Sequence, residues 1–188
     1  EIPICNKANG QVIVKNDIIM EVAYPVCIFT KMFQFAIFFR WKRFDEKLFH
    51  KFVMLYVRCG DRLKSDHTVW FITYWDFDGF YYVEHFATNP ALRNGGYGKR
   101  TLEHLCEFLK RPIVLEVERP VEEMAKRRIN FYQRHGFTLW EKDYYQPPYK
   151  EGDDFLPMYL MVHGNLDAEK DYEGIRHKLH TIVYGVKE

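Results

Sequence analysis

Three groups of residues have types and spacings suited to chemistry. Glu84 and His85 lie together in the aromatic and β-branched run from Tyr81 to Thr88, where a carboxylate and an imidazole are natural proton acceptors. Next comes Arg93-Asn-Gly-Gly-Tyr-Gly-Lys-Arg100, with glycines at 95, 96 and 98 just ahead of an amphipathic segment. Adjacent backbone N–H groups at a helix start cradle phosphate oxygens, and glycine lets a bulky diphosphate lie against the main chain. The third group is Tyr132, one turn before Gly136-Phe137. There Gly136 reads as a helix C-terminal cap and Phe137 as the start of a buried strand.

Two familiar phosphate loops fail on the glycine segment. A P-loop ending in Gly98-Lys99 would need glycine where Arg93 stands and Ser or Thr where Arg100 stands. A dinucleotide fingerprint starting at Gly96 would need its third glycine where Thr101 stands. What remains is Arg-x-x-Gly-x-Gly between a strand and a helix, with Arg93, Gly96 and Gly98 at the motif positions. In this form the segment resembles the acetyl-CoA loop of the GNAT acetyltransferase superfamily. Tyr132-x-x-x-Gly136-Phe137 resembles that superfamily's second signature, and one strand (Pro112 to Glu118) separates the two. The hairpin-like stretch Trp70 to His85 and the tail Tyr145 to Met161 are also similar, the tail to that of a group of uncharacterised bacterial GNAT proteins. The resemblance covers roughly residues 69 to 163 and the C-terminal helix, and is weak or absent before residue 69.

The resemblance implies one GNAT domain over residues 1–188 that transfers an acetyl group directly from acetyl-CoA to an amine. It implies that Tyr132 donates a proton to the departing CoA thiolate. Phe86, Ala87 and Thr88 would bond the pantetheine amides through their backbone. Arg93, Asn94, Gly95, Gly96, Tyr97, Gly98 and Lys99 would take the pyrophosphate, with Arg100, Arg127 or Arg128 as further counter-charges. A free amine with pKa near 10.4 must lose a proton before it can attack. Strict strand alternation puts Tyr82, Glu84, Phe86 and Thr88 on one face and Tyr81, Val83, His85 and Ala87 on the other. Glu84 is the only carboxylate on that strand and ranks as the base, ahead of His85 on the opposite face. Many family members carry Asn where this chain has Ala125. The rivals are a catalytically silent acyl-CoA-binding protein and a protein-interaction module of the same fold. Acceptor identity and acyl length are not readable.

Bulk properties agree with an ordinary globular domain: 188 residues, 28% charged, with aromatics unusually plentiful at 18%. A net charge of +1 argues against nonspecific nucleic-acid binding. Cys5, Cys27, Cys59 and Cys106 are scattered without a Cys-x-x-Cys pair, so neither a zinc site nor a disulfide framework is expected. No signal-peptide pattern is present, and a cytoplasmic location is the expectation. The apolar stretch Val22 to Phe39 contains Pro25, Lys31 and Gln34, which reads as a buried helix rather than a membrane span. The expected partners are acetyl-CoA and a small-molecule or peptide amine, with no nucleic acid, membrane or metal; a homodimer is left open.

The elements that must position these residues follow from periodicity. The fold class is α/β (α+β), a mixed, mostly antiparallel sheet flanked by helices. Strands are expected at 11–14, 49–58, 69–74, 81–88, 113–117, 137–140 and 155–162, with Asp78-Gly79 turning a hairpin. Residues 20–52 read as mainly helical and as the acceptor side. Further helices are expected at 97–110, from Pro120 to His135, and at 166–183. His177 and His180 in the last helix read as a solvated face.

Overall fold

The computed structural model describes residues 12–15, 18–23, 52–59, 68–88, 95–150 and 152–187, with side chains at 72–86 and from 95 onward. Strands β1 (Val12–Lys15), β2 (Ile18–Ala23), β3 (Phe52–Cys59), β4 (Thr68–Asp76) and β5 (Tyr81–Thr88) precede helix α1 (Tyr97–Phe108). Then come β6 (Ile113–Glu118), α2 (Glu123–Gln133), β7 (Phe137–Gln146), β8 (Leu156–His163) and α3 (Tyr172–Lys178). The strands form one sheet in the order β1-β2-β3-β4-β5-β6-β8-β7. Every neighbouring pair is antiparallel except β5 with β6, so the expected mixed, mostly antiparallel sheet is present. Among the described residues, no helix is long and apolar enough to cross a membrane.

Residues 20–23 were expected to open a helix, but they complete β2. The run Ile18-Ile-Met-Glu-Val-Ala23 carries β-branched Ile18, Ile19 and Val22 and pairs in register with β3, Ile18 opposite Cys59. The remainder of that expected helical region, residues 24–51, lies outside the described residues. The β4–β5 hairpin closes as Phe77 and Phe80 exchange backbone hydrogen bonds of 3.0 and 3.3 Å around Asp78-Gly79. Their rings stack at 4.9 Å.

Two apolar layers sandwich the sheet. On one face, α1 seats Leu102, Leu105 and Leu109, and α2 seats Ile129 and Tyr132, against Ile72, Val83, Leu115, Val117 and Met161. Each such side chain contributes about 1.5–3 kcal/mol by leaving water. On the other face, Tyr172, Ile175, Leu179 and Val183 pack on Trp75, Tyr82, Val114, Trp140 and Leu160.

Three expected boundaries shift for local reasons. Helix α2 begins at Glu123, because a tight bond from Val121 N–H to the Arg119 carbonyl (2.7 Å) keeps the preceding residues in a turn. Strand β7 runs to Gln146, and its pairing with β8 is irregular between Trp140 and Tyr144. The polar Glu141-Lys-Asp143 in that irregularity had ended the apolar pattern. The closing helix starts at Tyr172, since Asp167 accepts the amides of Glu169 and Lys170 (2.9 and 3.1 Å) and holds a turn. It ends in a wider π turn, Leu179–Val183. His180 is only 7% exposed, its ring 5.6 Å from that of Tyr144, so it is a packed residue and not part of a solvated face. His177 is exposed.

Candidate active site at an open seam of the sheet

The parallel ladder between β5 and β6 is short. It pairs Tyr81 with Ile113, Tyr82 with Val114 and Val83 with Leu115, then stops, although β5 continues to Thr88 and β6 to Glu118. The cause lies on the other side of β5. Thr73 pairs with His85 and Tyr74 with Val83, so Glu84 is an extra residue, a β-bulge. A bulge bends its strand and sharpens its twist, which opens the seam towards β6.

The bulge also overturns the facing expected from strict alternation. Phe86 packs with Val83 in the layer beneath α1 and α2, not on the face of Tyr82. Glu84 reaches the opposite layer, where its Oε2 accepts the Trp75 indole N–H at 2.8 Å. His85 joins it there: its Nδ1 lies 2.9 Å from the Thr73 hydroxyl and 4.0 Å from Glu84 Oε1. The two candidate bases therefore share a face, and parity gives no reason to rank one above the other. Their exposure does separate them, since the Glu84 side chain is 1% exposed and that of His85 43%. Glu84 as a residue is only half-buried, so what solvent meets there is its bulged backbone.

The glycine segment leads into α1 as expected. Gly96 is the N-cap, left-handed at φ 71°, and no side chain caps the helix start. Among the described residues, a Cβ built on Gly96 would meet nothing within 4 Å, and no side chain caps the first N–H groups of α1. Gly95 is exposed, as is Lys99, which stands 3.8 Å from Glu103. Arg100 lies over the Tyr97 ring at 4.9 Å. Arg93 and Asn94 lie outside the described residues, and Ala87 and Thr88 are described by backbone only. Arg128 is engaged with Glu118 at 3.0 Å. Sequence reasoning missed Thr101. It is 1% exposed, and its hydroxyl has no hydrogen-bond partner among the described residues. Such an orphan one turn into α1 suits a ligand lying between helix and sheet.

Tyr132 stands near the end of α2, in the layer beneath α1 and α2, 7% exposed and against the Phe137 ring at 5.4 Å. Gly136, at φ 83°, turns the chain from α2 into β7. Burial pushes the Tyr132 phenol up to about 12, with Arg128 pulling weakly the other way, so it stays protonated at neutral pH. No described group hydrogen-bonds its hydroxyl.

The structure adds a second carboxylate. Glu116 on β6 accepts Tyr184 Oη at 2.7 Å, Gln146 Nε2 at 2.5 Å and Tyr144 Oη. Burial pushes its carboxyl up, and these donors together with Tyr82 pull it back. The one sequence signal is a glutamate between apolar Leu115 and Val117.

Elsewhere, a pocket of about 450 Å³ between α1 and the end of α2 is lined by His104, Cys106, His135 and His163 among others. No group of three His, Cys, Asp or Glu among the described residues is arranged to hold a metal ion. Burial pushes the Cys106 thiol up to about 11, far from a reactive thiolate.

The acetyltransferase (GNAT) domain family matches residues 52–139. A solved protein from Bacteroides thetaiotaomicron, assigned to the GNAT acetyltransferase family, is 86% identical with a TM-score of 0.67, covering 73% of this chain and 75% of its own. A Bacillus subtilis acetyltransferase solved in complex with CoA is 14% identical, with a TM-score of 0.47 over 64% of this chain and 81% of its own. The ribosomal-protein-S18-alanine N-acetyltransferase from Escherichia coli is 17% identical, with a TM-score of 0.47 over 70% and 77%. No curated protein matches the chain.

Proposed function

This chain belongs to the GNAT acetyltransferase family, and from that premise we propose that it transfers an acetyl group from acetyl-CoA directly to an amine. The observation that carries the reading is the seam. A parallel ladder ends at Val83 and Leu115, with a glycine-capped helix start and a buried phenol on one side of the sheet and a buried carboxylate on the other. A thioester threaded through the seam is reached from both faces.

The proposed division of labour follows the faces. The open space before Gly96 and the N–H groups of Tyr97, Gly98 and Lys99 receive the pyrophosphate, with Gly95 and the preceding Arg93 and Asn94 completing the loop. The backbone of Phe86, Ala87 and Thr88 takes the pantetheine amides. Acetyl-CoA supplies the activated acyl carbon. Glu84 accepts one proton from the arriving ammonium, directly or through a water, and leaves a neutral nitrogen. As the C–N bond forms, backbone N–H groups of β5 steady the oxyanion. As the C–S bond breaks, Tyr132 protonates the sulfur and regains its proton as the nitrogen sheds its second one. The products are an amide and a thiol, with one proton left on Glu84. His85, within 4.0 Å of Glu84, is placed to pass that proton to solvent.

A calorimetric titration with acetyl-CoA, followed by thiol release with a panel of amines, tests this. Saturable micromolar binding and amine-dependent thiol release are expected. Binding without release for any amine would make the chain a silent acyl-CoA receptor.

A further inference from the structure

The last bonded pair of the seam is Val83 with Leu115, so the next positions along the two parallel strands are Glu84 and Glu116. Both carboxylates lie on the α3 face, Glu84 through Trp75 and Glu116 through Tyr144 and Tyr184. Tyr149 bridges the two surroundings: its hydroxyl donates to Glu84 Oε1 at 3.4 Å, and its ring lies 5.5 Å from that of Tyr184. Tyr184 in turn donates to Glu116 at 2.7 Å and lies 3.0 Å from the Tyr82 hydroxyl. Every described group holding Glu116 is a neutral phenol or amide; no cation is among them.

A carboxylate enclosed by neutral donors alone is incompletely compensated, and an arriving cation completes it. An arriving carboxylate would meet two acidic side chains instead. Apolar side chains flank these surroundings: Tyr149 is 47% exposed, Leu156, opposite Gln146 in the β7–β8 ladder, 53%, and its neighbour Phe155 48%. We infer that the acceptor is a primary amine on an apolar or aromatic body, bound as its ammonium ion and bearing no carboxylate beside the nitrogen. Glu116 is the residue that enforces this choice, through its charge rather than through contact. The inference rests on the amine-acetylation reading above.

The test compares three acceptors of one shape at saturating acetyl-CoA: phenethylamine, phenylalanine amide and phenylalanine. The amine and the amide are expected to exceed the acid in kcat/KM by about 100-fold, the scale of a like-charge clash in a buried site. Glu116→Gln keeps the volume and still accepts hydrogen bonds. It is expected to raise KM for phenethylamine about ten-fold with kcat little changed, and to narrow the preference over phenylalanine, while calorimetry shows unchanged acetyl-CoA affinity. Acetylation of phenylalanine as readily as phenethylamine overturns the inference and leaves the transferase reading standing, whatever the variant does. Unchanged KM and preference in the variant also overturn it. If the wild type binds acetyl-CoA but acetylates none of the three, the acceptor class is refuted. If it fails to bind acetyl-CoA, the transferase reading itself falls and takes this inference with it.

Discussion

The two faces of the sheet are built on different principles. Beneath α1 and α2 the layer is largely apolar, with the Tyr132 phenol within it and, beside it, the Thr101 hydroxyl, which has no hydrogen-bond partner among the described residues. Beneath α3 the layer holds a web in which Tyr82, Tyr144, Gln146 and Tyr184 converge on Glu116, beside Trp75 bonded to Glu84. The first face leaves the Thr101 hydroxyl uncommitted, as suits a surface proposed to receive a long amphipathic ligand. The second spends its polar groups on one another and so fixes the position of charge. On this reading the donor enters over the first face and the acceptor meets the second.

If that contrast is right, Tyr132→Phe should leave acetyl-CoA affinity intact and lower kcat on the order of 100-fold, the lower end of what a positioned acid contributes. An unchanged rate would remove Tyr132 from the chemistry. The same substitution should alter alkaline stability. A phenol pushed up to about 12 in the folded chain and near 10 unfolded contributes stability that is full below pH 10 and lost as pH rises towards 12. Two pKa units correspond to about 2.7 kcal/mol at most. Alkaline denaturation should accordingly begin later in the variant, since Phe has no proton to lose.

Gly96→Val should come next in size, weakening acetyl-CoA binding roughly 30-fold, because a branched side chain resists the left-handed backbone and projects into the open space. The melting temperature should move only slightly; a large fall would mean that Gly96 serves folding instead. Glu84→Gln should cut the rate about ten-fold near neutral pH, and the deficit should close as pH rises and the amine deprotonates unaided. A constant ratio across pH would assign proton removal elsewhere, with His85 on the same face as the first candidate. The smallest effect is expected of Lys99→Ala: about a two-fold loss of acetyl-CoA affinity that disappears at high salt, since this exposed lysine already stands beside Glu103.

The first face was the more legible in the sequence. Its loop and helix are local, and Arg93 through Lys99 followed by Leu102 and Leu105 announces a strand-to-helix turn within a dozen residues. Tyr132 and Gly136 are legible for the same reason. The second face joins residues far apart in the chain, such as Tyr82 with Tyr184, and no local period carries that information. Glu84 was found as the only carboxylate on its strand, but its facing relative to His85 and Phe86 was misjudged, because alternation presumes that each residue has one partner across the ladder. Glu116 was missed because a glutamate between apolar strand residues looks the same whether it meets solvent or a cage of phenols.

If the proposed function holds, that extra residue in β5 makes the length of the strand, and not only its composition, part of the catalytic apparatus. Removing one residue at 84 would let β4 and β5 zip into an unbroken hairpin, plausible to any measure of regularity. The straightened strand would have no reason to part from β6, and the passage proposed for the thioester would close. In a lineage of such proteins, single-residue deletions here would be silent to folding and fatal to turnover, an inversion of the usual order in which lesions declare themselves.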